Sequence, residues 1–341
     1  MQPPDRALGC LLGGAVGDAL GAPIEFRPLA EIRSLYGPDG LDHMVWHDSG
    51  RLGAITDDTQ MTLFTMEALI RSRGIDVPPA VHAAHRRWYA TQLLSGPPRK
   101  PGPAKLPTWG TVVLDGGLAQ ERWLYARRAP GNACMSGLRS PSMGTLANPT
   151  NPTSKGCGAV MRSAPFGLVP SWSPAEAFST AVDCAVHTHG HPTGYLAAGV
   201  FAAIIRRLVD GLDLPEAVAR TRSTIDHAPL RAALDHAVSA AHEGRPSPER
   251  IERLGAGFTA DEALAIAVYC ALSHPTDVRA AQLLAINHSG DSDSTGAITG
   301  NLLGAWHGRR SLPAAWVTAL EGRETMQALA REFTTAFPPV R

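Results

Sequence analysis

Apolar residues recur at three- and four-residue spacing along most of this chain, in alanine-rich stretches, and alternating Val, Ile, Thr and aromatic runs are few. That period lines one face of a helix rather than one face of a strand. The pattern predicts an all-α fold, with helices over 6–21, 58–73, 78–93, 118–128, 174–187, 192–210, 214–223, 228–242, 260–272, 276–286 and 295–307. Pro and Gly cluster over 95–107 and again over 136–153, which breaks the helical register. Irregular segments of this length inside a domain are more often functional than neutral connectors. The expected organisation is one domain over 1–341, with an insertion-like segment near 95–153.

Glycine adds a second period. Gly9, Gly13, Gly17 and Gly21 recur every four residues, and so do Gly296, Gly300, Gly304 and Gly308. Each set lines one helical face, where glycine costs about 1 kcal/mol against alanine. Two such stripes need a compensating gain, either small faces tucked under bulky neighbours or direct packing of the first helix on the last. Antiparallel packing of that pair brings Glu25 close to the acidic loop before residue 295.

Composition narrows the function. The 341 residues are 44% hydrophobic, and 31 basic residues balance 31 acidic ones. No overall field draws such a chain onto nucleic acid or an anionic membrane. The five cysteines (Cys10, Cys134, Cys157, Cys184, Cys270) are scattered and lack CxxC spacing, which fits neither a disulfide framework nor a structural zinc site. The N-terminus lacks the basic head and cleavage site of a signal peptide, and no run reaches the ~18 uninterrupted apolar residues of a membrane span. The expectation is a soluble, cytoplasmic monomer without nucleic-acid or membrane partners.

The chemistry concentrates in two acidic segments at expected helix entrances, Thr56-Asp57-Asp58-Thr59 and Asp291-Ser292-Asp293-Ser294. Either alone reads as an N-cap. A cap needs one such residue, however, and adjacent carboxylates repel unless a cation lies between them. Hard oxygen ligands without obligatory His or Cys select Mg²⁺, Mn²⁺ or Ca²⁺ over Zn²⁺. Two Mg²⁺ ions are a natural complement for so many carboxylates, with Mn²⁺ as a substitute. The turn from Ser154 to Arg162, with Gly156, Cys157 and Gly158, lets backbone N–H groups approach a phosphate, although by itself it reads as an ordinary tight turn and lacks a Walker pattern. His187, His189 and His191 alternate before a helix, a spacing that splays the rings and suits polar contacts better than zinc. Cys157, without a matched base, reads as a small buried residue rather than a nucleophile.

In this order the segments resemble the ADP-ribosylglycohydrolase family. The resemblance runs from Gly9 to Gly308 and is carried by the stretch from Gly13 to Phe26, by Thr56-Asp57-Asp58-Thr59, by the glycine turn ending Met161-Arg162, by Thr188-His189 and by Gly290-Asp291-Ser292-Asp293-Ser294. It implies an all-α, compact orthogonal multi-helix bundle and a dinuclear Mg²⁺ site formed by Thr56, Asp57, Asp58, Asp291, Asp293 and Ser294. It also implies that Glu25 lies at the substrate ribose, and that Gly156, Cys157, Gly158, His189 and Ser292 line an ADP-ribose cleft. Cys157 stands where many relatives carry Asn, and Ser294 replaces a frequent Thr.

The implied activity is hydrolysis of the glycosidic bond between ADP-ribose and a modified acceptor, with arginine on protein favoured over serine or a small molecule. The catalytic candidates are Glu25, Asp58, Asp291 and Asp293, one of which takes the proton of the attacking water. A non-catalytic, crystallin-like ADP-ribose binder and a Mg²⁺-dependent phosphatase or pyrophosphatase are the competing readings. The segment 95–153, with Trp109, Trp123 and Arg139, is a candidate for acceptor selection, its aromatics being equally readable as packing anchors.

Overall fold

A computed structural model describes residues 3–47, 50–107 and 110–339. In chain order the helices are α1 (Pro3–Gly21), α2 (Leu29–Tyr36), α3 (Asp57–Ser72), α4 (Val77–Thr91), α5 (Asn132–Gly137), α6 (Ala164–Gly167), α7 (Pro174–Ala185) and α8 (Pro192–Val209). They continue as α9 (Leu214–Arg222), α10 (Ala228–His242), α11 (Pro248–Leu254), α12 (Ala260–Ser273), α13 (Val278–Ile286), α14 (Ser292–His307), α15 (Ala314–Ala319) and α16 (Arg323–Ala336). Two small antiparallel hairpins are the strand content of the described residues: β1 (Trp46–His47) with β2 (Arg51–Leu52), and β3 (Gly102–Lys105) with β4 (Thr111–Leu114). The architecture is all-α.

Local chemistry explains where many helices start. Proline occupies the first turn of α7, α8, α9, α10 and α11, where its missing N–H costs nothing and its fixed φ suits the helix. Ser173 and Glu176 add a reciprocal capping box to α7. The centre of the fold is α12, buried on every side from Ala263 to Ala271 among α8, α10, α13 and α14. Two stretches, Asp5–Ile24 and Pro192–Val209, are long and apolar enough to cross a membrane by length and composition. They are 83% and 72% buried inside the fold, so neighbouring helices already take up their apolar surface.

The glycine stripes interlock. A Cβ added at Gly13 would lie 2.2 Å from the Gly300 carbonyl oxygen, one at Gly17 1.9 Å from that of Gly296, and one at Gly9 2.5 Å from that of Gly304. Helices α1 and α14 therefore run antiparallel in backbone contact, in a register that only glycine permits. At the end of the stripe Gly21 meets Ser292 in the same way, its missing Cβ 2.3 Å from the Ser292 carbonyl oxygen. The end of α1, and Glu25 just beyond it, is thereby pinned against the acidic entrance of α14.

Three sequence expectations are corrected. Residues 118–128 form two 3₁₀ turns, Leu118–Gln120 and Arg122–Tyr125, and leave the helical conformation at Ala126, with Arg128 pulled inward by Glu321 and by the Ile55 carbonyl at 2.7 Å. The residues after 307 carry two more helices, with Met326, Leu329, Ala330 and Phe333 forming the buried stripe of α16. Short helices α2, α5 and α11 occupy stretches where the periodicity predicts no helix. Within 95–153, Trp123 is a packing anchor, its ring filling the space beside Gly322 and its Nε1–H donating to Glu121 at 2.9 Å. Arg139 is exposed, and Trp109 lies outside the described residues.

Candidate active site

Asp18 anchors the site from below. Although α1 buries it completely, its carboxylate accepts from the Thr56 N–H (3.0 Å), the Thr59 N–H (3.1 Å) and the Thr59 hydroxyl (2.5 Å). These bonds fix the entrance of α3. Thr56 caps that helix by accepting from the Asp58 N–H, and Asp57 accepts from the Gly131 N–H at 3.1 Å. The sequence signal for Asp18 is slight, a single charge placed among the tightly packed glycines of α1.

The other half comes from α14. Asp291 caps it, and the Ser294 N–H donates to both Asp291 (3.3 Å) and Asp293 (3.0 Å). One carboxylate oxygen from each of Glu25, Asp291 and Asp293 lies within 4.8 Å of the others. Glu25, Asp57, Asp58, Asp291, Asp293 and Ser294 share the wall of one cleft of about 360 Å³. Glu25 thus stands in the carboxylate ring itself. Two of the expected residues do not line that cleft: Thr56 caps α3 with its hydroxyl 3.4 Å from the Asp58 carboxylate, and Ser292 is buried, its hydroxyl turned back to the His288 carbonyl.

Gly156, Cys157, Gly158 and His189 line the same cleft, joined by residues 129–134 of the irregular segment. That segment lines the site through Ala129–Cys134, not through the stretches richest in Pro and Gly. The three alternating histidines diverge as their spacing suggests. His191 caps α8 by accepting from the Thr193 N–H, His187 packs edge-on against His82, and His189 alone reaches the cleft. Cys157 points at the acidic groups, its thiol donating to Asp291 at 2.9 Å. Burial and the charges of Asp291 and Asp58 push that thiol well above its ordinary range, which suits a neutral donor and not a nucleophile.

At the mouth, Phe26 stacks on Phe258 with ring centroids 5.6 Å apart and planes 11° from parallel. Phe26 holds a left-handed φ of 63°, fixed by its N–H bond to the Gly290 carbonyl at 2.9 Å. Nothing in the sequence pattern singled out Phe258.

Electrostatically the ring is unbalanced. Among the described residues no Lys, Arg or His forms an ion pair with Asp18, Glu25, Asp57, Asp58, Asp291 or Asp293. Burial, with Asp291, Asp57 and Asp18 nearby, pushes the Glu25 carboxyl up to about 8. Burial likewise raises Asp57 to about 7, against the opposing Gly131 hydrogen bond. Asp58 and Asp293 are driven well above the usual carboxylate range by burial and by their acidic neighbours. Asp58 Oδ1 is buried without a hydrogen-bond partner. Uncompensated negative charge, an orphaned oxygen and an all-oxygen donor set fit a hard divalent cation.

Comparison with known proteins places this geometry. The chain is 27% identical to the ADP-ribosyl-[dinitrogen reductase] glycohydrolase of Rhodospirillum rubrum over 327 residues, covering 93% of this chain and 90% of that one. It is 26% identical to the ADP-ribosylarginine hydrolase Tri1 of Pseudomonas putida (strain GB-1), covering 99% and 80%. Its fold superposes on a solved structure titled ADP-ribosylglycohydrolase-related protein complex with a TM-score of 0.70 at 26% identity, covering 98% of both chains. Names of relatives, fold and acidic cleft agree on a hydrolase of a glycosidic bond. The sequence model of ADP-ribosylglycohydrolase matches residues 1–340, and the chain belongs to that family.

Proposed function

We propose that this protein removes ADP-ribose from arginine side chains of modified proteins in a Mg²⁺-dependent reaction. The observation that carries the reading is the carboxylate ring of Glu25, Asp291 and Asp293, which has no counter-ion among the described residues and opens onto a cleft lined by Gly156, Cys157, Gly158 and His189. The acceptor is inferred from the relatives' names, one an ADP-ribosylarginine hydrolase.

Thr56, Asp57, Asp58, Asp291, Asp293 and Ser294, with Glu25 added by geometry, would hold two Mg²⁺ ions, Mn²⁺ being the natural substitute. Bound there, the cations supply charge compensation and Lewis-acid polarisation for a reaction that builds positive charge at the ribose. In the reaction the bond from the anomeric carbon to the guanidine nitrogen breaks and a water oxygen takes its place. One water proton passes to a carboxylate and the acceptor nitrogen takes up a proton, regenerating arginine. Glu25 is the residue we assign to that transfer, because its carboxylate stands beside those of Asp291 and Asp293 on the cleft wall. Cys157 donates to Asp291 and steadies that carboxylate in one orientation.

The deciding experiment incubates arginine-ADP-ribosylated protein with the enzyme, with Mg²⁺ or with excess chelator, and identifies both products by mass. Intact ADP-ribose and restored arginine, only with the cation, are expected. AMP as product would replace the glycosidic reading by a pyrophosphate cut. Release from serine-linked but not arginine-linked substrate would overturn the acceptor.

A further inference from the structure

Arg162 closes the glycine turn, yet the cleft does not use it and no carboxylate among the described residues pairs with it. It is 2% exposed. Its Nη1 donates to two sulfurs, Cys134 at 3.3 Å and Met61 at 3.5 Å, and its Nη2 donates to the Thr188 hydroxyl at 2.6 Å. A guanidinium buried among neutral partners is costly, so its retention needs an account.

The hydrogen-bond inventory supplies one. Arginine only donates, so the Thr188 oxygen must accept from it. Thr188 has one proton to give, and two acceptors lie near: His189 Nδ1 at 2.8 Å and the Ala185 carbonyl at 3.5 Å. The second distance is beyond a normal O–H···O bond, so the proton goes to Nδ1. Nδ1 is then an acceptor, and the ring's own proton must sit on Nε2.

Nε2 has no hydrogen-bond partner among the described residues and faces the glycine turn. A Cβ at Gly158 would stand 3.2 Å from it and one at Gly156 3.6 Å, so both glycines keep the space before Nε2 open. We propose that Arg162, acting through Thr188, locks His189 as its Nε2–H tautomer and so makes it a fixed, uncharged hydrogen-bond donor into the cleft, for an anionic ligand oxygen of the diphosphate type. Burial, then Arg162, lower the His189 pKa to about 3, so the ring stays neutral throughout the ordinary working range. Arg162 and Thr188 are positioning residues; only His189 meets the ligand. The identity of that ligand rests on the function proposed above, whereas the tautomer does not.

The test uses the full-length protein with ¹⁵N-labelled histidine. Two-bond ¹H–¹⁵N correlation spectra at neutral pH are expected to show His189 Nε2 protonated and Nδ1 unprotonated, with and without ADP-ribose. Thr188→Val should let both tautomers appear and weaken ADP-ribose binding, read by calorimetry, by about tenfold or more, the loss of a hydrogen bond to a charged group. Thr188→Ser should restore both signals. A wild-type spectrum with the proton on Nδ1 would overturn the proposal, as would Thr188→Val leaving tautomer and affinity unchanged. If Thr188→Val does not fold, the wild-type and Thr188→Ser spectra still decide. The expected tautomer in a protein that does not bind ADP-ribose would uphold the lock and overturn the proposed ligand.

Discussion

The carboxylate of Asp18 lies directly beneath Thr59, accepting its hydroxyl at 2.5 Å and its backbone N–H at 3.1 Å. Through this pair α1 dictates where the first acidic segment begins, although Asp18 itself is absent from the cleft wall. Burial holds its carboxyl up at about 6, opposed by the Thr59 and Thr56 hydrogen bonds. Asp18→Asn keeps the shape but, even with its oxygen facing Thr59, sets an amide NH₂ against the Thr56 N–H. It should lower Mg²⁺ affinity or turnover by about 10–100-fold, the usual cost of losing a group that orients metal ligands. Calorimetric metal titration beside circular dichroism checks it, and unaltered affinity would reduce Asp18 to a packing residue.

Asp291→Asn separates cap from ligand. Asparagine caps helices as well as aspartate does, so α14 should form and the melting temperature should change little. The ring loses one charge, and cation-dependent release of ADP-ribose should disappear. Retained turnover would sink the assignment of Asp291 to the cation site.

The glycine interlock predicts a large effect from a single methyl group. Gly300→Ala places a Cβ 1.9 Å from the Gly13 carbonyl oxygen, so the helices must part. Overpacking against backbone costs roughly 3 kcal/mol or more. Gly117→Ala, where nothing lies within 4 Å of the added carbon, should be nearly neutral. Denaturant midpoints compare the two, and equal midpoints would refute the close packing.

Stability without a cation should depend on pH in an unusual direction. The folded protein holds Asp18 at about 6, Asp57 at about 7 and Glu25 at about 8, while the unfolded chain titrates these groups near 4. Burial holds His82 down to about 4 and His187 and His189 down to about 3, so below about pH 6.5 these rings oppose the carboxylates; from about 6.5 to about 8 the carboxylates alone keep extra protons in the folded state, and stability falls as pH rises. Mg²⁺ should reverse this, with its gain in melting temperature larger at pH 8 than at pH 5. A flat or rising profile in chelator between about pH 6.5 and 8 would contradict the uncompensated ring.

Legibility in the sequence followed the range of the signal. The four-residue glycine period was plain because every turn of α1 and α14 repeats the same contact, and it carried Glu25 to the acidic loop. The aspartate pairs stood out because local capping alone does not explain two carboxylates at one helix entrance. Asp18 was hidden because its partners, Thr56 and Thr59, lie a whole loop away. The lining by Ala129–Cys134 depends on Arg128 meeting Glu321 from the far end of the chain, a pairing no local pattern encodes. The stripe of α16, at Met326, Leu329, Ala330 and Phe333, was present at helical spacing but diluted by the charged residues between.

The interlocked α1 and α14 also impose an order on biosynthesis. One half of the ring sits on residues 18–58 and the other on 291–294, and a ribosome releases the first long before the second. Until α14 emerges, the glycine face of α1 has no partner and the early carboxylates have no complete cage. Under the function proposed above, cation capture is therefore a late event in the life of each new chain, and binding of Mg²⁺ or Mn²⁺ by a nascent polypeptide would mark the moment α1 and α14 have met.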